Sequence, residues 1–190
     1  MITIPIYVIN LERATRRLDY ISGQLLKYNI KFKRIDAIEG VKLESRSLKN
    51  YQNQSKYTTQ HYSMLSSGEI GCALSWHKAW DLASNADNQA IIVLEDDVEI
   101  SDNFTQTISK LEKSLDKDIV IDLSGKQGFL EKERKIVNGI TLIRYSTPPL
   151  GNQGAIYGKN SAERLLANVA DFKSPSDTLR QMIWRHGVQT

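Results

Sequence analysis

The chain opens on "IPIYVIN", apolar at nearly every position and rich in branched and aromatic residues, the pattern of a strand buried on both faces that stops at Asn10. Behind it Leu18, Ile21 and Leu25 recur at spacings of three and four with arginines between them, which predicts an amphipathic helix. "KFKRIDA" alternates polar and apolar and predicts a second strand, closed by "IEG". The chain therefore begins strand, helix, strand. Residues 41–67 are polar and weakly periodic, too long for an ordinary connection, and read as a functional loop with room for a short helix. "SSGEIGCALSWHKAWDLASN" predicts a largely buried helix capped by Ser66 or Ser67, and "AIIVLEDD" predicts a central strand. Further on, Phe104, Ile108, Leu111 and Leu115 form one helical stripe behind an Asp102 cap, and "DIVIDL" reads as another strand. Asn138-Gly139 between two β-rich runs predicts a hairpin, and "GAIYG" predicts a short strand. Asn160 with Glu163 predicts a capping box ahead of a helix carrying Leu165, Leu166 and Val169, and "SPSDTLRQMIW" a last helix with Pro175 in its first turn. The sum is an α/β fold: a mixed β-sheet covered by helices, with a late β-hairpin.

Composition narrows this picture. At 190 residues with 41% apolar content, the chain supports one domain with a full core and leaves little for a second. A formal net charge of +3 fits an anionic small molecule or an anionic membrane surface better than a nucleic-acid footprint. The single cysteine, Cys72, excludes an internal disulfide, points to a reducing compartment, and reads as a packed core thiol because its run is apolar. "MITIPIYVIN" has no basic stretch before its apolar residues and no small-residue cleavage site, and no run approaches the roughly 20 apolar residues that span a bilayer. The expectation is a cytoplasmic protein, its oligomeric state open.

The chemistry gathers at "IIVLEDDVEI", where four apolar residues run straight into Glu95, Asp96 and Asp97. Strand alternation would put Glu95 and Asp97 on one side and Asp96 on the other. Paired carboxylates at the carboxyl end of a strand in an open α/β sheet suit Mg²⁺ or Mn²⁺ held jointly with a diphosphate. The alternative is a solvated acidic turn. Arg13 and Arg17 follow Asn10 one helical turn apart and could face one spot.

Taken together, "PIYVINLERATRR", "IDAIEG", "LSSGEIGCALSWHKAW", "IIVLEDDVEI" and "GNQGAIYGKNSAERLL" resemble, in order and spacing, the signature segments of glycosyltransferase family 25, linked to lipooligosaccharide biosynthesis. The resemblance covers nearly the whole chain. It implies a GT-A type, Rossmann-like fold, a UDP-sugar donor (commonly UDP-galactose), Mn²⁺ or Mg²⁺, inversion at the anomeric carbon, and a lipid-linked oligosaccharide acceptor met at the inner face of the bacterial inner membrane. It further implies one domain over residues 1–190, with a nucleotide-sugar half to about 124 and an acceptor half beyond, and relatives that continue past the position of Thr190.

On this resemblance Glu95 to Asp97 stand where such enzymes keep their "DxD" motif, Asp97 as direct metal ligand, Glu95 beside it or acting through water, and Asp96 orienting the donor's sugar or ribose. Asn10, Arg13 and Arg17 would lie against the donor, the arginines on its diphosphate and Asn10 on the uracil edge. Asp36, with Glu39-Gly40, sits where a ribose acid or an ordinary turn would be. Gly68, Glu69 and Gly71 open the buried helix, as an anion site or as its cap. Asn152 and Gln153 would bond sugar hydroxyls. Asp177 matches a late family aspartate and is the first candidate for the base that accepts the acceptor's proton, with Asp122 and Glu69 behind it. One departure is Leu74-Ser75-Trp76-His77, where the family reads Leu-Ser-His; a one-residue shift rotates a side chain by about 100°. Trp76 then reads as a buried aromatic or a sugar-stacking wall. Two competing readings are a Mg²⁺-binding phospho-receiver-like module, disfavoured by a first strand ending in Asn10-Leu11-Glu12, and a transferase that binds sugar nucleotide without turnover.

Overall fold

A computed structural model describes residues 2–54, 65–168, 176–181 and 187–188. Its centre is a five-stranded sheet in the order β2-β1-β3-β7-β4. The strands are β1 (Ile6–Asn10), β2 (Lys33–Asp36), β3 (Ala90–Glu95), β4 (Val120–Asp122) and β7 (Gly154–Gly158). β1 pairs in parallel with both β2 and β3, whereas β7 runs antiparallel between β3 and β4. The sheet is thus mixed and Rossmann-like, as expected. β1 and β7 are buried at every position, and β3 at all but Glu95, which is why their sequences read as continuous apolar runs.

Alternation along these strands sorts the core into two layers. Tyr7, Ile9, Ile91, Val93, Ala155 and Tyr157 point to one face, where α3 (Ser67–Ser84), α5 (Lys159–Ala167) and α6 (Ser176–Gln181) pack. Ile6, Val8, Ile92, Leu94 and Ile156 point to the other, against α1 (Thr15–Lys27) and α4 (Phe104–Leu111). α1 buries Ile21 and Leu25, as the periodicity predicts. The first core is anchored by Trp76, Trp80 and Tyr157, whose ring centroids lie 5.9 to 6.4 Å apart.

α3 starts with a full capping box: the Ser66 hydroxyl accepts from the Glu69 N–H, and the Glu69 carboxylate accepts from the Ser66 N–H. Its first turn lies hard against the backbone after β2. A Cβ on Gly71 would sit 2.5 Å from the Ile38 carbonyl oxygen, and one on Gly40 would strike the Ser67 carbonyl. These two glycines let the "IEG" and "GEIG" segments touch. The loop expected over 41–67 contains a ten-residue helix, α2 (Ser45–Gln54).

β5 (Phe129–Val137) and β6 (Ile140–Thr147) form the predicted hairpin, with φ of 49° at Asn138 and 78° at Gly139, the primed turn that an Asn-Gly pair favours. Two caps fall elsewhere. Asp102 accepts from the Tyr28 hydroxyl and pairs with Lys27, leaving Asn103 at the head of α4. Asn160 donates to Asp118 and α5 begins from Gly158, so the Asn160–Glu163 box does not form. Val169 and Pro175 lie outside the described residues.

Candidate functional site

β1 and β3 end together at one edge of the sheet, with Ile9 beside Glu95 and Asn10 beside Asp36. The three carboxylates meet there. Glu95 is the last strand residue and faces α3, where the Trp76 indole N–H donates to its Oε1 at 3.0 Å. Burial pushes the Glu95 carboxyl up to about 7; the Trp76 bond works the other way, and the charges of Asp97, Asp96 and Asp177 add to the rise. Asp96 is buried and accepts from Asn10 Nδ2 at 2.7 Å and Arg17 Nη1 at 3.2 Å. Asp97 is exposed and accepts from the same Arg17 Nη1 at 3.2 Å. The alternation expected of Glu95 and Asp97 stops short because the strand ends at Glu95: in the following turn Asp96 and Asp97 share one guanidinium nitrogen.

A cleft of about 290 Å³ opens over this edge, walled by Arg13, Arg17, Glu39, Cys72, Trp76 and the three carboxylates. Arg13 and Arg17 both line it but serve different partners, since Arg13 Nε donates to Glu39 at 2.7 Å. Lys42 bonds the other Glu39 oxygen at 2.8 Å, and this ammonium, ahead of Arg13, holds the Glu39 carboxyl below the usual range. Gly68 is also in the wall, at the head of α3. Cys72 is not the core thiol expected from its apolar neighbours: it is exposed to the cleft, while the protein packed around its other sides pushes its thiol up to about 11. Trp76 is fully buried beneath the cleft floor. His77 stacks on Trp80 at 5.8 Å, and burial lowers its imidazole to about 4.

The remaining predicted residues lie around this cleft or away from it. Asn10 is 1% exposed and sits behind Asp96, its Nδ2 held by Asp96 and the Ala14 carbonyl and its Oδ1 buried without a partner among the described residues. Asp36 points to solvent beside Arg34, outside the cleft wall, and Glu69 is spent on the α3 cap. Asp122 and Asn152 are joined through Arg180, whose guanidinium is 1% exposed and donates to Asp122 Oδ2 at 2.6 Å, Asn152 Oδ1 at 2.9 Å and the Gly151 carbonyl at 3.2 Å. The other Asp122 oxygen takes the Ser124 N–H and hydroxyl, and Asn152 also donates to Ser176 at 2.8 Å. Both are therefore committed to internal bonds. Asp177, at the start of α6, lies near enough to Glu95 and Cys72 to raise both. Gln153 accepts the Glu95 N–H on its carbonyl at 2.9 Å and borders a neighbouring depression.

Sequence reasoning missed Trp76 as the partner of Glu95 and Arg180 as the link between α6, β4 and the Gly151–Gln153 loop. The first carried a signal, an aromatic with an N–H donor on the helix that precedes the acidic strand; the second carried none. Among the described residues no three His, Cys, Asp or Glu side chains converge into a metal cage. Among the described residues Asp97 Oδ1 and Glu95 Oε2 take no hydrogen bond, and such carboxylate oxygens suit a hard cation that draws its other ligands from phosphate and water.

A Rossmann-like sheet with helices on both faces and a carboxylate-rich cleft at its carboxyl edge has the build of a glycosyltransferase fold. The sequence pattern of glycosyltransferase family 25 (LPS biosynthesis protein) matches residues 3–149. The chain is 29% identical over 156 residues to procollagen galactosyltransferase 2 of Mus musculus, covering 77% of this chain and 25% of that protein. It is 31% identical over 115 residues to the Homo sapiens protein of the same name (59% and 18%), and 26% identical over 213 residues to inactive glycosyltransferase 25 family member 3 of Mus musculus (97% and 34%). The chain belongs to glycosyltransferase family 25, and spans about a third or less of the length of these relatives.

Proposed function

We propose that this protein transfers a hexose, galactose in the simplest case, from a UDP-sugar to a hydroxyl of a glycan acceptor, with inversion at the anomeric carbon. The observation that carries the reading is the cleft at the ends of β1 and β3, where Arg17 and the Glu95–Asp97 carboxylates converge. Arg13 and Arg17 receive the donor diphosphate, to which a planar guanidinium offers paired N–H groups. Asp97, with Glu95 beside it, is the set that would hold Mn²⁺ or Mg²⁺, and such a cation supplies charge neutralisation at a departing diphosphate. Asp96, pinned by Asn10 and Arg17, fixes the turn that presents Asp97. Asp177 accepts the proton as the acceptor oxygen bonds to the anomeric carbon and the bond from that carbon to phosphate breaks.

The family's description supports a lipid-linked, lipooligosaccharide-type acceptor. No helix among the described residues is long and apolar enough to cross a membrane, so the contact proposed is peripheral, through exposed basic positions such as Lys132 and Lys135 on β5. Absence of binding to anionic vesicles at low salt would end that part of the proposal.

The test is thermal unfolding with UDP and UDP-galactose, with Mn²⁺ or with chelator. A ligand at 100 times its Kd stabilises by about 2.7 kcal/mol. The reading expects that shift with UDP-galactose and Mn²⁺, a smaller one after chelation, and loss of transfer without loss of fold in Asp97→Ala. No shift with any UDP-sugar overturns it. A second reading, a sugar-nucleotide binder without turnover, is favoured by Arg17, which already neutralises Asp96 and Asp97, and by the similarity to an inactive family member. Stabilisation by UDP without transfer or donor hydrolysis selects it.

A further inference from the structure

Between Glu95, where β3 ends, and Phe104, where α4 begins, residues 96–103 belong to no strand or helix. Left to itself such a stretch would give the exposed Asp97 carboxylate no fixed place. Helix α1 supplies what is lacking. Arg17, Ile21, Gln24 and Tyr28 follow one another at helical spacing, a single stripe that runs off the end of α1 at its C-cap, Tyr28. Ile21 is buried in the core below, with Val98 and Ile100 packed against the same cluster. The other three hold the stretch at successive points: Arg17 on Asp96 and Asp97, Gln24 on Val98 and Ile100, Tyr28 on Asp102. Gln24 grips the main chain itself. Its Nε2 donates to the Val98 carbonyl at 3.0 Å and its Oε1 accepts the Ile100 N–H at 2.8 Å, so one side-chain amide takes the place of a neighbouring strand residue immediately after Asp97.

We propose that α1 is a splint for the acidic turn and that Gln24 is a positioning residue, its paired bonds setting where the Asp97 carboxylate stands for a divalent cation. The inference rests on the transferase reading above and adds to it a residue outside the donor cleft wall. A carboxylate already held in one place loses little freedom when a cation arrives, whereas one on a loose turn must be ordered in the same step and binds more weakly. Arg17 cannot do this alone, because the donor diphosphate draws on the same guanidinium. Gln24 keeps the turn in place when Arg17 is so engaged.

The probe is Mn²⁺ alone, titrated into the ¹⁵N-labelled chain, read from paramagnetic broadening of backbone amides and reversed with chelator. Wild type should show saturable broadening centred on Glu95–Val98. Gln24→Met keeps the length and helix preference of the side chain but removes both bonds, and should need roughly fivefold more Mn²⁺ for half-broadening. Tyr28→Phe removes the bond to Asp102, at the far end of the stretch, and should match wild type. Equal Mn²⁺ demand in wild type and Gln24→Met overturns the proposal and spares the metal reading. Equal weakening in both variants also overturns it, since the effect is then a general loosening. Absence of saturable broadening at the turn in wild type removes the metal reading and the proposal with it. Hydrogen exchange of the wild-type Ile100 amide decides the matter even if Gln24→Met does not fold: protection of roughly a hundredfold supports the clamp, and exchange as fast as in an unstructured chain overturns it.

Discussion

Two half-buried groups, Glu95 beside Trp76 and His77 on Trp80, have opposite effects on stability as pH changes. Glu95 is raised from 4.5 to about 7, first by burial, and His77 is lowered from 6.5 to about 4 by burial. Folded Glu95 holds its proton more tightly than the unfolded chain does, so its stabilising contribution is present in acid and is lost as pH rises through 7. Folded His77 resists its proton, so its contribution is present above 6.5 and is lost as pH falls toward 4. At about 1.4 kcal/mol per unit, these shifts make each contribution change by about 2 kcal/mol between pH 5 and 7, with opposite signs. Wild-type stability should therefore be nearly flat over that range. Glu95→Gln, which keeps an acceptor for Trp76, should lose about 2 kcal/mol on going from pH 7 to pH 5. His77→Phe, which keeps the stack on Trp80, should gain about as much over the same change. Urea unfolding of the three proteins at pH 5, 6 and 7, with chelator present, measures this directly, provided the dependence on urea is unchanged. Parallel pH profiles for wild type and both variants would refute the argument.

Arg180→Met should cost about 3–5 kcal/mol, because it strands the largely buried Asp122 and frees α6, and a drop in urea midpoint reads it. Gly71→Ala should cost about 1–3 kcal/mol by the same assay, since its Cβ would press on the Ile38 carbonyl. Trp76→Phe should raise the Glu95 titration further, because the lost indole bond favours the carboxylate; the ¹³C shift of the Glu95 side-chain carboxyl against pH measures it.

Periodicity revealed most of the fold because the sheet is buried on both faces, so β1, β3 and β7 wear their environment in sequence. The acidic triplet stood out for the opposite reason, charges where apolar residues had just run out. What failed depended on a partner. Asp102 and Asn160 have the right type for caps, yet Asp102 accepts from the distant Tyr28 and Asn160 donates to the distant Asp118. Cys72 sits in an apolar run, but its turn of α3 faces the cleft. Arg180 finds its acceptors 28 and 58 positions away, and nothing local in "TLRQM" marks an arginine that is to be buried. Asp97 was read as continuing a strand that ends two residues earlier.

The placement of β7 bears on how the protein is made. The strand that completes β3 pairs Leu94 with Gly154, sixty positions on, and that same strand is the partner of β4. During synthesis the acidic lip of β3 exists long before its neighbour has left the ribosome, and closing so distant a pair is slow. Until then one side of β3 is an open edge with a row of unpaired amides, a state in which nascent chains adhere to one another. A fragment trimmed to the family-matched span, ending at residue 149, would remain in that state permanently.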